Sequence, residues 1–239
     1  MTDLAYLRDA YVTTLESTVT AVDGLRVATA ATILYPTGGG QPHDTGTIAW
    51  SLGTAVIESV RKEDGSVWHT LAADSPVPEV GHAVTLTVDW ERRHLLMRTH
   101  TAMHILCGVI WNEYGKPVTG GDMQPLSARM DFEFDPLPDG FAGTVERRVN
   151  EEIRADRQIV VSFLPRETAV VDADLIRTKV SLIPESVSEI RIVDIVGLDK
   201  QADGGTHVRS TKDVGVFKVI KTESKGKGNK RIRIELLDA

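Results

Sequence analysis

The sequence predicts an α+β chain: a small N-terminal antiparallel β-barrel, or a sandwich of similar size, packed on a C-terminal part that mixes helices and strands. Three observations carry this. Short β-type runs, punctuated by Gly, Pro and Asp, recur at intervals of roughly 8–12 residues as far as Asp89. The pattern then switches at Trp90 to a sustained helical period. Beyond Tyr114, alternating and amphipathic segments follow one another. A length of 239 residues suits two modest domains. The switch near Thr87–Trp90 sets them at 1–88 and 89–239, with no long linker.

The N-terminal elements follow from local pattern. Thr13–Val22 alternates in part and ends at the turn Asp23-Gly24. Leu25–Leu34 is rich in Val, Thr, Ala and Ile, so it reads as one strand. After the glycines at 38–40 come strands at Thr45–Leu52, Ala55–Lys62, Ser66–Leu71 and Ala83–Asp89, with a Glu63-Asp64-Gly65 turn. From Trp90 to Tyr114, Leu95, Leu96, Met103, Leu106, Val109 and Ile110 recur at helical spacing, with no interior glycine before Gly108. Ala128–Phe134 alternates as a strand. Gly143–Asp156 is a charged amphipathic helix with Val145, Val149 and Ile153 on one face. Gln158–Leu164 is expected to be a strand and Glu167–Ile176 a short helix. Further strands are expected at Ser188–Val196, Phe217–Lys221 and Arg231–Leu236.

Composition excludes several classes. A single cysteine rules out an intramolecular disulfide framework and every CxxC zinc or redox motif. The N-terminal MTDLAYLRDAY has acidic residues where a secretory leader has basic ones, and no run approaches the roughly 18 apolar residues of a membrane span. A cytoplasmic location is the expectation. Lys and Arg number 27 against 34 Asp and Glu, a formal charge of −7, which argues against indiscriminate nucleic-acid binding.

Two histidine pairs stand at ligand spacing. His100 and His104 lie four apart in HTAMH, on one face of the predicted helix. Such pairs also occur as solvated or core histidines. Thr101 occupies the place of the glutamate in HExxH, which counts against a metalloprotease. Asp203 and His207 are also four apart, and the Gly204-Gly205 turn can swing both toward one point. Two such pairs supply the four N and O donors of a tetrahedral zinc site. A third phrase, YPTGGGQPHDTG from Tyr35 to Gly46, reads either as a plain turn between strands or as a backbone cradle for a ligand, with Gln41 presenting an amide.

In order and spacing, YPTGGGQPHDTG, HTAMHIL and DGGTHV resemble the editing domain of alanyl-tRNA synthetase and its free-standing AlaX-type relatives, in the medium-length form. RMDFEF and GVFKVIK…KRIRIEL follow the same course, so the resemblance covers nearly the whole chain. It implies a trans-acting hydrolase that removes serine, and also glycine, from mischarged tRNA(Ala) at a zinc site, the C-terminal part being the editing domain. Family ligands map onto His100, His104 and His207. The fourth is a cysteine in the family phrase CGGTH, where this sequence has Asp203. We expect Asp203 to serve as that ligand, and Gly38, Gly39, Gly40 and Gln41 to line the substrate pocket. The resemblance assigns no general base.

A tRNA partner also needs local positive charge. Lys218, Lys221, Lys225, Lys227, Lys230, Arg231 and Arg233 share a stretch whose only acid is Glu223, and Arg92, Arg93 and Arg98 flank the HxxxH motif. The expected tRNA contacts are Arg92, Arg93, Lys225, Lys227 and Lys230; a solvated hairpin tip at Ser224–Lys230 is the plainer reading of the last three. Two alternatives remain at this level. One is editing of another aminoacyl-tRNA, of the threonyl type. The other is a non-catalytic tRNA- or protein-binding module whose metal site has degraded at Asp203.

Overall fold

The structure, a computed structural model, describes residues 1–169, 175, 187–226 and 228–238. The chain divides into two compact units, Met1–Leu95 and Leu96–Ala239.

In the first unit, strands are short because turn-forming residues interrupt them. They are β1 (Asp3–Leu4), β2 (Thr14–Asp23), β3 (Arg26–Thr29), β4 (Ala31–Thr32), β5 (Gly46–Trp50), β6 (Gly53–Glu63), β7 (Ser66–Leu71) and β8 (Ala83–Val88). Six of them close a barrel in the order β2-β3-β7-β6-β5-β8, with β8 returning to β2. Barrel closure, rather than a sandwich, leaves no open sheet edge. The hairpins turn where the sequence places Gly after Asp. Asp23 pairs with Arg26 across Gly24, and Glu63 pairs with Ser66 across Asp64-Gly65, both at positive φ. Alternation points Val67 and Leu71 of β7, and Val84, Leu86 and Val88 of β8, into an aliphatic core with Val27, Ile48, Ile57 and Val60. His69 points into the same interior. Its Nδ1 is 3.0 Å from the Val27 carbonyl, and its Nε2 is 2.8 Å from the Thr32 hydroxyl. The expected single strand at Leu25–Leu34 is broken at Ala30, because the amide there bonds Thr18 while β4 turns to pair in parallel with β1.

Helix α1 (Trp90–Tyr114) spans the predicted segment and begins in the first unit. Asp89 caps it, accepting the Arg92 amide at 3.2 Å. The second unit adds β9 (Val118–Gln124), β10 (Ser127–Phe132), α2 (Phe141–Arg154), β11 (Ile159–Pro165), α3 (Arg166–Ala169), β12 (Glu189–Ile195), β13 (Asp199–Ala202), β14 (Val216–Ser224) and β15 (Lys230–Leu237). One antiparallel sheet runs β14-β15-β10-β9, the other β11-β12-β13. Phe141, Val145, Val149 and Ile153 form the buried face of α2. Its polar side chains bond the edge of β14: Asn150 Nδ2 donates to the Phe217 carbonyl and Glu146 accepts the Val219 amide. Strands β9 and β13 have no counterpart in the sequence reading. VTGGDMQ carries two glycines and DKQA is polar, so neither shows strand propensity. Most of the helix expected at Glu167–Ile176 lies outside the described residues, which place α3 at its start. Among the described residues, no helix is long and apolar enough to cross a membrane.

Candidate metal centre

The helical period of α1 sets His100 and His104 one turn apart on one face, with ring centroids 5.1 Å from each other. Asp203 and His207 follow the end of β13. Asp203 Oδ2 accepts the Gly205 amide at 2.7 Å, closing a tight turn that brings both side chains round. The His207 ring then lies 4.4 Å from His100 and 4.7 Å from His104, centroid to centroid. One donor atom from each of the four side chains falls within 4.8 Å of the others. Tetrahedral zinc with bonds of 2.0–2.2 Å separates its ligand atoms by about 3.4 Å. His207 Nε2 to Asp203 Oδ2, at 3.0 Å, and His100 Nε2 to Asp203 Oδ1, at 3.6 Å, bracket that edge. The cluster can hold a metal ion.

A surrounding layer orients the ligands. His104 Nδ1 lies 3.2 Å from Asp199 Oδ2, and His207 Nδ1 lies 3.2 Å from the Thr101 hydroxyl. In both rings these contacts leave Nε2 for the cluster. The Arg191 guanidinium donates to the Asp203 carbonyl at 2.8 Å and stands 3.7 Å from its carboxylate. Thr101, Asp199 and Arg191 were not found from sequence. Thr101 sits inside the HTAMH phrase, but Asp199 and Arg191 lie in strands with no motif around them.

Electrostatics prepares the cluster for a cation. Burial above all, with the charges of His104 and Arg191, lowers the pKa of His100 to about 4 against the attraction of Asp203. Burial and His100 push His207 well below its usual value. Burial opposes ionisation of Asp203, but His100 and the His207 hydrogen bond hold it well below the ordinary carboxylate range. Burial also opposes a charge on His104, yet the Asp199 hydrogen bond and the charges of Asp203 and Asp199 raise it. At neutral pH, His100 and His207 are therefore neutral and Asp203 is ionised, the states a metal requires, whereas the raised pKa of His104 means that a metal must displace a proton there.

The other predicted residues divide. Gly38 to Gln41 is a two-residue hairpin: the Gly38 amide donates to the Gln41 carbonyl at 3.1 Å, and the reverse bond is 2.9 Å. Gly39 and Gly40 have φ of 57° and 83°, the pair of positive values that a primed turn needs. Tyr35 Oη donates to the Gly38 carbonyl at 2.9 Å, and Gln41 is buried. Arg92 is partly exposed, with its guanidinium on the His43 carbonyl. Arg93 is a correction. It is 0% exposed, as is its ion-pair partner Asp44, so it cannot reach a phosphate. Arg98 is likewise turned inward, onto the Val214 carbonyl and Asp238.

Charge in the C-terminal hairpin is more balanced than its sequence implies. Asp131 takes Arg231 in two bonds of 2.7 Å, Glu146 takes Lys218, and Glu223 takes both Lys221 and Arg233. Those last two partners, Lys221 first, lower Glu223 to about 2. Lys225 is exposed and Lys230 partly so, its Nζ 3.2 Å from the Ser224 hydroxyl. Lys227 lies outside the described residues.

Two family models match this chain. Residues 190–233 fit the threonyl and alanyl tRNA synthetase second additional domain, and residues 7–92 fit the class II (A) tRNA synthetases. The chain is similar to the alanyl-tRNA editing protein AlaX-M of Saccharolobus solfataricus, at 36% identity over 97% of this chain and 98% of that one. It is 32% identical to the AlaX-M protein of Methanosarcina barkeri over the full length of both. The alanine–tRNA ligase of Pyrobaculum calidifontis matches at 34% identity over 91% of this chain, which covers 25% of the ligase.

Proposed function

The chain belongs to the AlaX family of alanyl-tRNA editing proteins, and on that premise we propose that it is a trans-acting deacylase that clears serine, and glycine as well, from mischarged tRNA(Ala). The observation that carries this is the His100, His104, Asp203 and His207 cluster in a chain related over its whole length to editing proteins.

The chemistry explains why such a protein is useful. An alanine pocket rejects glycine weakly by size, and serine adds only a hydroxyl, so a second hydrolytic site must remove the errors. Water adds to the ester carbonyl, the bond to the ribose oxygen breaks, and that oxygen takes up a proton. We assign the resident ion as zinc. Once bound, zinc would either polarise the aminoacyl carbonyl or a water, which requires a position beyond the four protein ligands, or, with those four closing its tetrahedron, anchor and orient the site.

The protein's own residues would do the following. His100, His104 and His207 present imidazole nitrogens, and Asp203 supplies the one negative charge among the ligands. Asp203 was the reason to consider a degraded, non-catalytic module. Its carboxylate, ionised and set among three imidazoles, supports a ligand instead. The Arg191 guanidinium keeps that carboxylate in place through its carbonyl. In the Gly-Gly-Gln phrase, Gly39 and Gly40 serve the turn; Gln41 is the proposed contact for the acylated end, and because its side chain is fully buried that role requires the loop to open. Arg92, Lys225, Lys227 and Lys230 are the proposed tRNA contacts.

The test combines metal analysis with deacylation of Ser-, Gly- and Ala-tRNA(Ala) by wild type, His100→Ala, Asp203→Cys and Gln41→Ala. Near-stoichiometric zinc and turnover of Ser-tRNA, both lost in His100→Ala, are expected. Binding without turnover in wild type, with turnover restored by Asp203→Cys, would establish the degraded module. Unchanged rates in Gln41→Ala would remove Gln41 from the site.

A further inference from the structure

We propose that Asp199 is a positioning residue of the metal centre, acting through His104 to fix the ring nitrogen that faces the ion. The inference rests on reading the cluster as a metal site.

Its basis is geometric. The Asp199 side chain is completely buried, although a buried carboxylate is costly unless its oxygens are engaged. Oδ2 faces His104 Nδ1 at 3.2 Å and also receives Gln201 Nε2 at 2.8 Å. A carboxylate on Nδ1 holds the proton there, so Nε2 keeps its lone pair for the cluster. This is the arrangement by which an outer carboxylate orients a metal-binding imidazole and raises its basicity.

The backbone is built to allow the contact. Gly108 lies one turn beyond His104 on the same face of α1. A Cβ at that position would stand 2.9 Å from Leu198 Cγ, 3.0 Å from the Leu198 carbonyl oxygen and 3.1 Å from Asp199 Cβ. Glycine lets the start of β13 lie directly on the helix. There, pairing with Ile195 holds Asp199 at the end of the strand, within reach of His104. Thr101 has the corresponding place on His207, so each of these two ligands has its Nδ1 engaged by a named oxygen.

Zinc affinity of the full chain, measured by competition with a chromogenic chelator, tests the proposal. Asp199→Asn should bind zinc about 10–100-fold more weakly than wild type while keeping the far-UV spectrum of the fold. Asp199→Ala should weaken it at least as much. Affinity within twofold of wild type in both variants would overturn the proposal. If the variants do not fold, 15N-imidazole NMR of the zinc-loaded wild type decides. Protonated Nδ1 and metal-bound Nε2 on His104 are expected, and coordination through Nδ1 would overturn the assignment. Wild type that takes up no zinc would overturn the metal centre itself, an outcome distinct from wild-type binding that Asp199 does not affect.

Discussion

Replacing Arg93 should destabilise the first unit rather than weaken tRNA binding directly. The side chain is fully buried, and its guanidinium serves three partners. Nε meets both Asp44 oxygens at 3.0 and 2.9 Å, Nη1 donates to the Ala10 carbonyl at 2.9 Å, and Nη2 donates to the Ile33 carbonyl at 2.6 Å as well as to Asp44 Oδ2. Asp44 Oδ2 also accepts the Tyr35 amide at 2.6 Å, so the pair pins both ends of the Tyr35–Asp44 loop that carries the Gly-Gly-Gln phrase. Arg93→Met strands a buried carboxylate and two carbonyls. Removing one partner of a buried pair costs about 3–5 kcal/mol, and every 1.4 kcal/mol is a tenfold change in an equilibrium constant. The folded-to-unfolded ratio should therefore fall by roughly 10²–10⁴. Adding Asp44→Leu removes the stranded charge and should recover part of the loss, though not the bonds to Ala10, Ile33 and Tyr35. Since two compact units need not unfold together, hydrogen exchange at β3, β5 and β8 amides is a better measure than a single melting curve. A direct phosphate contact predicts something else: unchanged stability, weaker tRNA binding and a salt slope smaller by about one. Arg93→Met within 1 kcal/mol of wild type but showing that salt signature would refute the reasoning.

Two further outcomes follow from other residues. Burial, partly opposed by the Val27 carbonyl, lowers the pKa of His69 from its usual 6.5 to about 4. The unfolded chain therefore takes up a proton near pH 6.5 that the barrel refuses. This contribution is fully present above pH 6.5 and is lost as pH falls to about 4, a difference of about 3 kcal/mol that His69→Gln should abolish in denaturant titrations across that window. Reversing Lys225 and Lys230 to Glu, with Lys227 included, should weaken tRNA binding and flatten its salt dependence; no change in either would mark the hairpin tip as merely solvated.

What could be read from sequence was whatever depends on near neighbours. Ser66–Leu71 and Trp90–Tyr114 were legible because alternation and helical period persist across them, and β9 and β13 were not because their residues lack either. The four candidate ligands were legible because each pair lies four residues apart, on a helix or around a glycine turn. Arg92 and Arg93 look alike in sequence, yet one helical step of about 100° puts one at the surface and the other inside. Asp199 reaches His104 from 95 residues away, and Asp131 and Glu146 neutralise basic residues 100 and 72 positions distant. Such contacts depend on the tertiary fold and leave no local mark.

The identity of the fourth ligand also has a redox consequence. Imidazoles and a carboxylate carry no sulfur, so the cluster has no atom that peroxide can convert to a sulfenic acid or that a passing thiol can capture in a mixed disulfide. The chain's single thiol, Cys107, is buried within α1. Reagents that strip a metal by oxidising or alkylating thiolate ligands find no thiolate in this centre.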